Sequence, residues 1–115
     1  PLLILTSSSL ATLQAAAPHC QVDVRRFRPN IVLDTTQDGY IEEQWEGAIL
    51  RIGEVQIQLT LACPRCVMTT IAFADLPQEP KIMRALVEEN HHKLGIYGRV
   101  LRSGVITVGD AAAIN

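Results

Sequence analysis

The sequence contains few aromatic residues and no long stretch of uninterrupted apolar ones. Aromatics make up 4% of the 115 residues, so a core must be built from the smaller apolar residues that bring the hydrophobic share to 48%. No apolar run approaches the roughly 20 residues of a membrane-spanning helix, so we expect no membrane partner. The net charge of −2 provides no broad basic surface, so we expect no nucleic-acid partner either.

Cysteine is scarce and odd in number, which argues against the disulfide framework of a small secreted domain. Three cysteines are present, and two of them share one Cys-x-x-Cys. No basic and apolar leader sequence is visible at the start. These features predict a reduced protein located in the cytoplasm.

The length predicts one domain, residues 1–115. The first residue is Pro1 and not Met. We therefore expect the domain to be truncated at its N-terminal side.

Short strand patterns dominate the chain. Residues 50–61 show two apolar alternations with a phase slip at Gly53-Glu54, which predicts a hairpin. Helices are expected at Ser9–Ala16 and Pro80–Asn90. Further strands are expected at Pro1–Leu5, Gln21–Val24, Ile31–Leu33, Val67–Ile71 and Ile96–Leu101, and a final strand and turn at Val105–Asp110. This composition of elements predicts a mainly-β fold, a β-barrel with two short helices as connections.

Cys63-Pro64-Arg65-Cys66 is the sharpest local motif, and it permits several functions. A structural zinc site needs four ligands, of which one Cys-x-x-Cys supplies two. A thioredoxin-like redox motif places its first cysteine at a helix N-terminus, and the strand expected at Val67–Ile71 argues against that arrangement. A single working thiolate is a third interpretation, since Arg65 beside Cys66 would favour the charged form. Two inert, buried thiols are the fourth.

A basic cluster, Arg25, Arg26 and Arg28, precedes Pro29. Such a cluster is either a solvated edge or an anion site, because the forked donors of a guanidinium fit phosphate. Arg28 is the better candidate, since Pro29 fixes the backbone beside it. Tyr97 lies on an expected strand, where its hydroxyl either completes the core or faces a pocket.

Four motifs, taken together and in this order, resemble the MOSC domain family. They are Phe27-Arg28-Pro29-Asn30-Ile31-Val32; Trp45 with Leu50-Arg51-Ile52-Gly53; Cys63-Pro64-Arg65-Cys66 with Thr69-Thr70; and Tyr97 with Gly104 to Asp110. The resemblance covers nearly the whole chain. It is strongest to the subgroup that contains the mitochondrial amidoxime-reducing component and its bacterial relatives.

The resemblance implies a β-barrel and a pterin-based molybdenum cofactor. It implies that Cys66 ligates the molybdenum and is the catalytic residue, because a soft thiolate suits such a metal. The residues implied to lie near the cofactor are Arg28, Asn30, Pro64, Arg65, Cys66 and Tyr97. The resemblance to the family as a whole also implies binding of pyridoxal phosphate. The subgroup also carries an N-terminal β-barrel domain that this sequence does not include.

The function implied is reduction of N-hydroxylated compounds or sulfur transfer, with a small-molecule substrate and a redox or sulfur-transfer protein as partner. Two alternatives stay open. One is a dithiol redox protein that uses both Cys63 and Cys66, and the other is an interaction module without cofactor. The cofactor hypothesis makes a geometric prediction, because Arg28, Arg65, Cys66 and Tyr97 should then converge on one cleft.

Overall fold

The hairpin expected in residues 50–61 is present in the computed structural model, which describes all 115 residues, Pro1 to Asn115. Its two strands are Ile49–Ile52 and Val55–Pro64, and Ile52 pairs with Val55 across the turn. Gly53 takes a positive φ of 57° there, a conformation that glycine adopts without steric cost. The alternation of apolar and polar residues therefore determines the register of this hairpin.

Six strands form one curled sheet, a half-barrel, and two α-helices pack beside it. The strands are β1 Leu2–Thr6, β2 Ile31–Leu33, β3 Ile49–Ile52, β4 Val55–Pro64, β5 Lys93–Arg102 and β6 Ala112–Ile114; the helices are α1 Ser7–Ala16 and α2 Pro80–Asn90. Their order in the sheet is β2-β1-β5-β4-β3-β6, with β1 and β2 parallel and the other neighbours antiparallel. The predicted mainly-β fold with two short helices is confirmed.

The apolar residues form two clusters on the two faces of the sheet. One cluster lies between the sheet and the helices and includes Leu5, Leu13, Phe27, Ile82, Leu86 and Leu94. The other fills the inside of the curled sheet and includes Ile4, Leu50, Ile57, Leu59 and Ile96. Gly98 lets β5 approach this second cluster, since a Cβ at that position would lie 2.5 Å from Ile57 Cγ2.

The helices begin where capping residues place them. α2 has the predicted bounds, with Pro80 as its first residue. α1 begins two residues before the predicted Ser9, because Thr6 and not a serine is the N-cap, and its hydroxyl accepts from Ser9 N at 3.0 Å. None of the helices has the length and apolar character needed to cross a membrane.

A buried carboxylate joins the start of α1 to the short 3₁₀ helix Ile41–Trp45. Glu42 has no exposed surface. Its carboxylate accepts from the Thr6 backbone N–H at 2.9 Å, from the Thr6 hydroxyl at 3.2 Å and from the Ser9 hydroxyl. Burial raises the pKa of Glu42, and the hydrogen bond from Ser9 opposes that shift.

Three of the expected strands are wrong. Val67–Ile71 was expected to be a strand because it is rich in β-branched residues, but Val67–Thr70 is a 3₁₀ helix. The hydroxyls of Thr69 and Thr70 donate to the carbonyls of Cys66 and Val67, at 3.1 and 2.7 Å. Such local bonds compete with strand pairing and close a turn instead.

The other two wrongly predicted strands also lie where a side chain caps the backbone. Asp23 accepts from Arg25 N at 2.9 Å and begins a 3₁₀ helix, Val24–Arg26, where the end of a strand was expected. Asp110 accepts from Thr107 N at 2.9 Å, which bends the segment expected as the final strand into a turn. The last strand is β6, whose alanines give little strand signal.

Candidate functional site

A cleft of about 310 Å³ lies at the end of β4, beside β5 and the loop that precedes β2. Its lining residues are Arg26, Arg28, Cys63, Pro64, Arg65, Cys66, Met68, Thr69 and Tyr97. Three of them are arginines and none is an aspartate or glutamate. The cleft is therefore cationic, and it contains two thiols.

The structure brings Arg28, Arg65, Cys66 and Tyr97 together on this cleft, as the sequence predicted, and Pro64 lines it as well. They come from three separate regions of the chain. Asn30 does not line the cleft. Its side-chain oxygen accepts from Leu3 N at 2.8 Å and its own N–H donates to Leu3 O at 2.9 Å, so it joins the loop to β1.

Cys66 is exposed and lies at the N-terminus of the 3₁₀ helix Val67–Thr70. Its carbonyl accepts from Thr69 N at 3.2 Å and from the Thr69 hydroxyl at 3.1 Å, so its backbone is fixed. Its sulfur has no hydrogen-bond partner in the protein. A fixed backbone with an accessible, unpartnered thiol suits a metal ligand or a nucleophile.

Arg65 lies next to Cys66 in sequence, but its guanidinium contacts Cys63. Nη1 donates to Cys63 Sγ at 3.3 Å, and Nη2 donates to the Phe27 carbonyl at 2.8 Å. The guanidinium carbon also lies 5.6 Å from the centre of the Phe27 ring. The Arg65 guanidinium therefore makes no hydrogen bond to the Cys66 thiol, and the effect of its charge on Cys66 stays a prediction. Arg65 has no carboxylate partner, so its charge is uncompensated.

Arg28 is exposed and makes no hydrogen bond or ion pair with the protein. It has a φ of 53°, in the left-handed region that residues with a Cβ rarely adopt. The following Pro29 restricts its backbone further. Strained residues of this kind are concentrated at functional sites, because only the surrounding structure maintains them.

Tyr97 is half-buried on β5 and lies against Cys63. A hydrogen bond to the Cys63 sulfur, followed by the electrostatic effect of Cys63 and by burial, raises the pKa of the Tyr97 hydroxyl, and the Arg65 charge opposes that shift. Cys63 itself is buried, with 3% of its surface exposed. One thiol of the motif is thus enclosed by the cleft wall, and the other is open to the cleft.

Sequence reasoning missed the role of Arg26, which it took for part of a solvated edge or an anion site. The side chain is buried, and its guanidinium donates to the carbonyls of Gln21 and Pro77, at 2.8 and 2.7 Å. It also lies 3.4 Å from the Glu79 carboxylate. Met68 and Thr69 were missed as well. Their only signal was their position directly after Cys66.

The geometry also bears on the other interpretations of the motif. All three cysteines are free thiols. Cys63 lies on β4, and the 3₁₀ helix begins only after Cys66. A thioredoxin-like motif would place the first cysteine at the helix N-terminus. No group of three His, Cys, Asp or Glu side chains comes together.

The cleft fits an anionic ligand that ends in a soft metal. Arg28 and Arg65 carry charges that no acidic side chain neutralises, so an anion bound here meets no competing carboxylate. Cys66 provides the soft donor at the same cleft. Arg28, Pro64, Arg65 and Tyr97 would hold the body of such a ligand.

These features define a class of protein in which a curled β-sheet carries a cationic cleft with two thiols. A family model of the MOSC domain matches residues 1–113. The chain therefore belongs to the MOSC domain family.

Several curated proteins are similar to this chain over most of its length. "Mitochondrial amidoxime reducing component 2" of Homo sapiens is 34% identical over 96% of this chain and 36% of the relative. The Bos taurus protein of the same name is 33% identical, over 96% of this chain and 35% of the relative. "Mitochondrial amidoxime-reducing component 1" of Mus musculus is 35% identical over the same shares. The chain spans about a third of the length of these relatives.

The names of these relatives overturn the expected cytoplasmic location, since each is called a mitochondrial component. The expectation rested on free cysteines and on the absence of a visible leader. Free cysteines indicate a reducing environment, but they do not identify which reducing compartment contains the protein.

Proposed function

We propose that Cys66 ligates the molybdenum of a pterin-based cofactor, and that the protein containing this domain reduces N-hydroxylated small molecules. The observation that carries the proposal is the exposed, unpartnered Cys66 beside two arginines without acidic partners. The cofactor, when bound, supplies the redox chemistry. The matching relatives are named for amidoxime reduction, which is consistent with this substrate class.

The residues of this chain would bind and orient. Cys66 would provide a thiolate, which a soft metal prefers over oxygen ligands. Arg28 and Arg65 would bind the anionic part of the cofactor through their forked donors. Tyr97, half-buried in the cleft wall, would donate or accept one hydrogen bond at the cleft. A redox protein partner and a mitochondrial location belong to the same proposal.

Sulfur transfer is the second candidate function. The Cys66 sulfur is accessible and has no partner in the protein, which also suits a thiol that carries a persulfide. A dithiol couple is less well supported. Cys63 is buried and its sulfur is in contact with Arg65.

Metal analysis of the full-length gene product, made in a host that produces molybdenum cofactor, tests the proposal. We expect molybdenum in the wild type and in Cys63→Ser, and its loss in Cys66→Ser. Cys20→Ser is a matched control, because Cys20 is a free thiol in the helical core cluster, away from the cleft. Equal molybdenum content in Cys66→Ser and wild type would refute the ligand role. Absence of molybdenum from the wild type, with a persulfide on Cys66, would favour sulfur transfer.

A further inference from the structure

The proposed function uses Cys66 and leaves the second thiol of the motif without a role. Cys63 lies on β4, two residues before Arg65, and is 3% exposed. Residues two apart in an extended segment project to the same side, so the sulfur and the guanidinium can meet. They do meet, with Arg65 Nη1 donating to Cys63 Sγ at 3.3 Å.

The Cys63 sulfur also donates a hydrogen bond. The sulfur lies 3.5 Å from the Pro64 carbonyl oxygen, a distance at which a thiol donates a weak hydrogen bond. A thiol that donates its hydrogen is uncharged. Cys63 therefore contacts Arg65 as a neutral acceptor and does not form an ion pair with it.

The other contacts of the Arg65 guanidinium are neutral too. Nη2 donates to the Phe27 carbonyl at 2.8 Å, and the guanidinium lies 5.6 Å from the centre of the Phe27 ring. The Arg65 backbone N–H donates to His92 O at 2.7 Å, which fixes the main chain. Arg65 is thus held from several directions while its full positive charge remains available to the cleft.

We infer that Cys63 is a positioning residue, a neutral thiol that fixes the Arg65 guanidinium on the cleft wall without cancelling its charge. A carboxylate at this position would fix Arg65 more strongly, but it would neutralise the charge that an anionic ligand needs. An apolar residue would leave the charge but remove one of the contacts that fix the side chain. The inference extends the proposed function, since it assigns Arg65 to the anionic part of the ligand.

The electric field at Cys66 reports whether Arg65 is in place, and it can be measured without any cofactor. Iodoacetate and iodoacetamide both alkylate the thiolate, and only iodoacetate is charged. The ratio of the two alkylation rates at Cys66 does not depend on accessibility or on the fraction of thiolate. A change in this ratio therefore reports a change in the local electric field. Mass spectrometry of peptides from the 115-residue chain identifies the product at Cys66.

Four variants separate the possible outcomes. Arg65→Gln removes the charge, and we expect the iodoacetate to iodoacetamide ratio to fall by about three- to sixfold, as for the loss of one nearby cation in a largely aqueous cleft. Cys63→Ala should lower the ratio part of the way to that of Arg65→Gln, because the contacts with Phe27 remain. Cys63→Ser keeps a neutral acceptor, and its ratio should stay within about twofold of wild type. Cys63→Asp should lower the ratio as far as Arg65→Gln, because the new carboxylate cancels the charge.

Cys20→Ser serves as the control for loss of a buried thiol elsewhere, and its ratio should equal that of wild type. Circular dichroism and thermal unfolding confirm that each variant is folded. If Cys63→Ala alone fails to fold, Cys63→Ser and Cys63→Asp still give opposite expected results. A wild-type ratio in Cys63→Ala or in Cys63→Asp would overturn the inference, and so would a wild-type ratio in Arg65→Gln. The assay uses protein without cofactor, so its outcome is independent of the molybdenum analysis.

Discussion

Arg26 Nη2 donates to the carbonyl oxygen of Pro77 at 2.7 Å. This bond joins the 3₁₀ helix Val24–Arg26 to the loop that leads into α2. The same guanidinium lies 3.5 Å from Thr69 O and 3.4 Å from Ile71 O. A single buried side chain thereby connects the segment after Cys66 to the segment before Arg28.

Replacement of Arg26 should therefore destabilise the protein strongly. Arg26→Ala removes the donor to four carbonyls and the cation beside the Glu79 carboxylate, and it empties a buried site, so we expect a loss of about 3 kcal/mol of unfolding free energy. Arg26→Lys keeps the charge but has no planar fork, so it should recover only part of that loss. Urea unfolding measures both variants.

Arg25→Ala is the matched control for this prediction. Arg25 is adjacent in sequence and pairs with Asp23 and Asp75 at 3.0 and 2.9 Å, but these pairs are exposed. Exposed ion pairs contribute little to stability. A loss in Arg25→Ala as large as that in Arg26→Ala would show that the charge cluster, and not burial, determines the effect.

Arg28→Gly should stabilise the fold while it weakens the site. Glycine relieves the strain of a φ of 53° before Pro29, and we expect a gain of about 0.5–1 kcal/mol in unfolding free energy. The variant also removes a cation from the cleft, so molybdenum retention by the full-length protein should fall. Arg28→Ala separates the two effects, because it removes the cation and keeps the strain. Stabilisation in Arg28→Ala equal to that in Arg28→Gly would contradict the strain argument.

Glu42 should make stability depend on pH. Burial raises its pKa above the ordinary value of 4.5. The folded state therefore binds the proton more tightly than the unfolded chain does. The contribution of this tighter proton binding to the unfolding free energy is fully present below pH 4.5. It is lost as the pH rises through the folded-state pKa of Glu42. Each unit of upward shift corresponds to about 1.4 kcal/mol.

Glu42→Gln should remove this dependence. The glutamine carbonyl can accept from Thr6 N, and its amide can donate to the hydroxyls of Thr6 and Ser9. We expect Glu42→Gln to gain stability relative to wild type between pH 4 and pH 7, measured by urea unfolding across that range. Glu88→Gln, on the exposed face of α2, is the control and should follow the wild-type profile. A constant difference between Glu42→Gln and wild type would contradict the pKa argument.

Gly98→Ala should destabilise the sheet through one contact. The new Cβ would lie 2.5 Å from Ile57 Cγ2, so β5 or the side chain has to move. Overpacking of this kind costs about 1–3 kcal/mol. The Gly98→Ala, Ile57→Ala double variant removes the clashing methyl, and its loss should be smaller than the sum of the two single losses. Strict additivity in thermal or urea unfolding would show that the clash is not the cause.

Local chemistry made much of the fold predictable. Gly53 marks the hairpin turn, Pro80 begins α2, and the alternation around Leu50 and Ile57 indicates which side of the sheet is buried. These signals act over a few residues and need no knowledge of distant partners. The errors arose where side chains bond to the nearby backbone, as Thr69, Thr70 and Asp110 do, because such bonds reverse the preference of β-branched residues for strands.

Part of the cleft lining was predictable from the sequence, but its contacts were not. The motifs named Arg28, Arg65, Cys66 and Tyr97, and the structure brings these four to one cleft. Which thiol is buried, and which one Arg65 contacts, depends on Phe27 and on the start of β5, both distant in sequence. The partners of Arg26 are backbone carbonyls of other loops, which no pattern of residue types encodes.

The pairing of β1 with β5 determines when the cleft can exist. Leu3 pairs with Tyr97, so the strand that carries this cleft residue is paired with a strand from the other end of the chain. Topologies dominated by such distant pairings fold slowly, on the scale of milliseconds to seconds. During synthesis the ribosome makes Cys66 well before it makes the strand that carries Tyr97. The thiol is therefore available before its cleft is complete, and a ligand that needs both walls has to be inserted after β5 has joined the sheet.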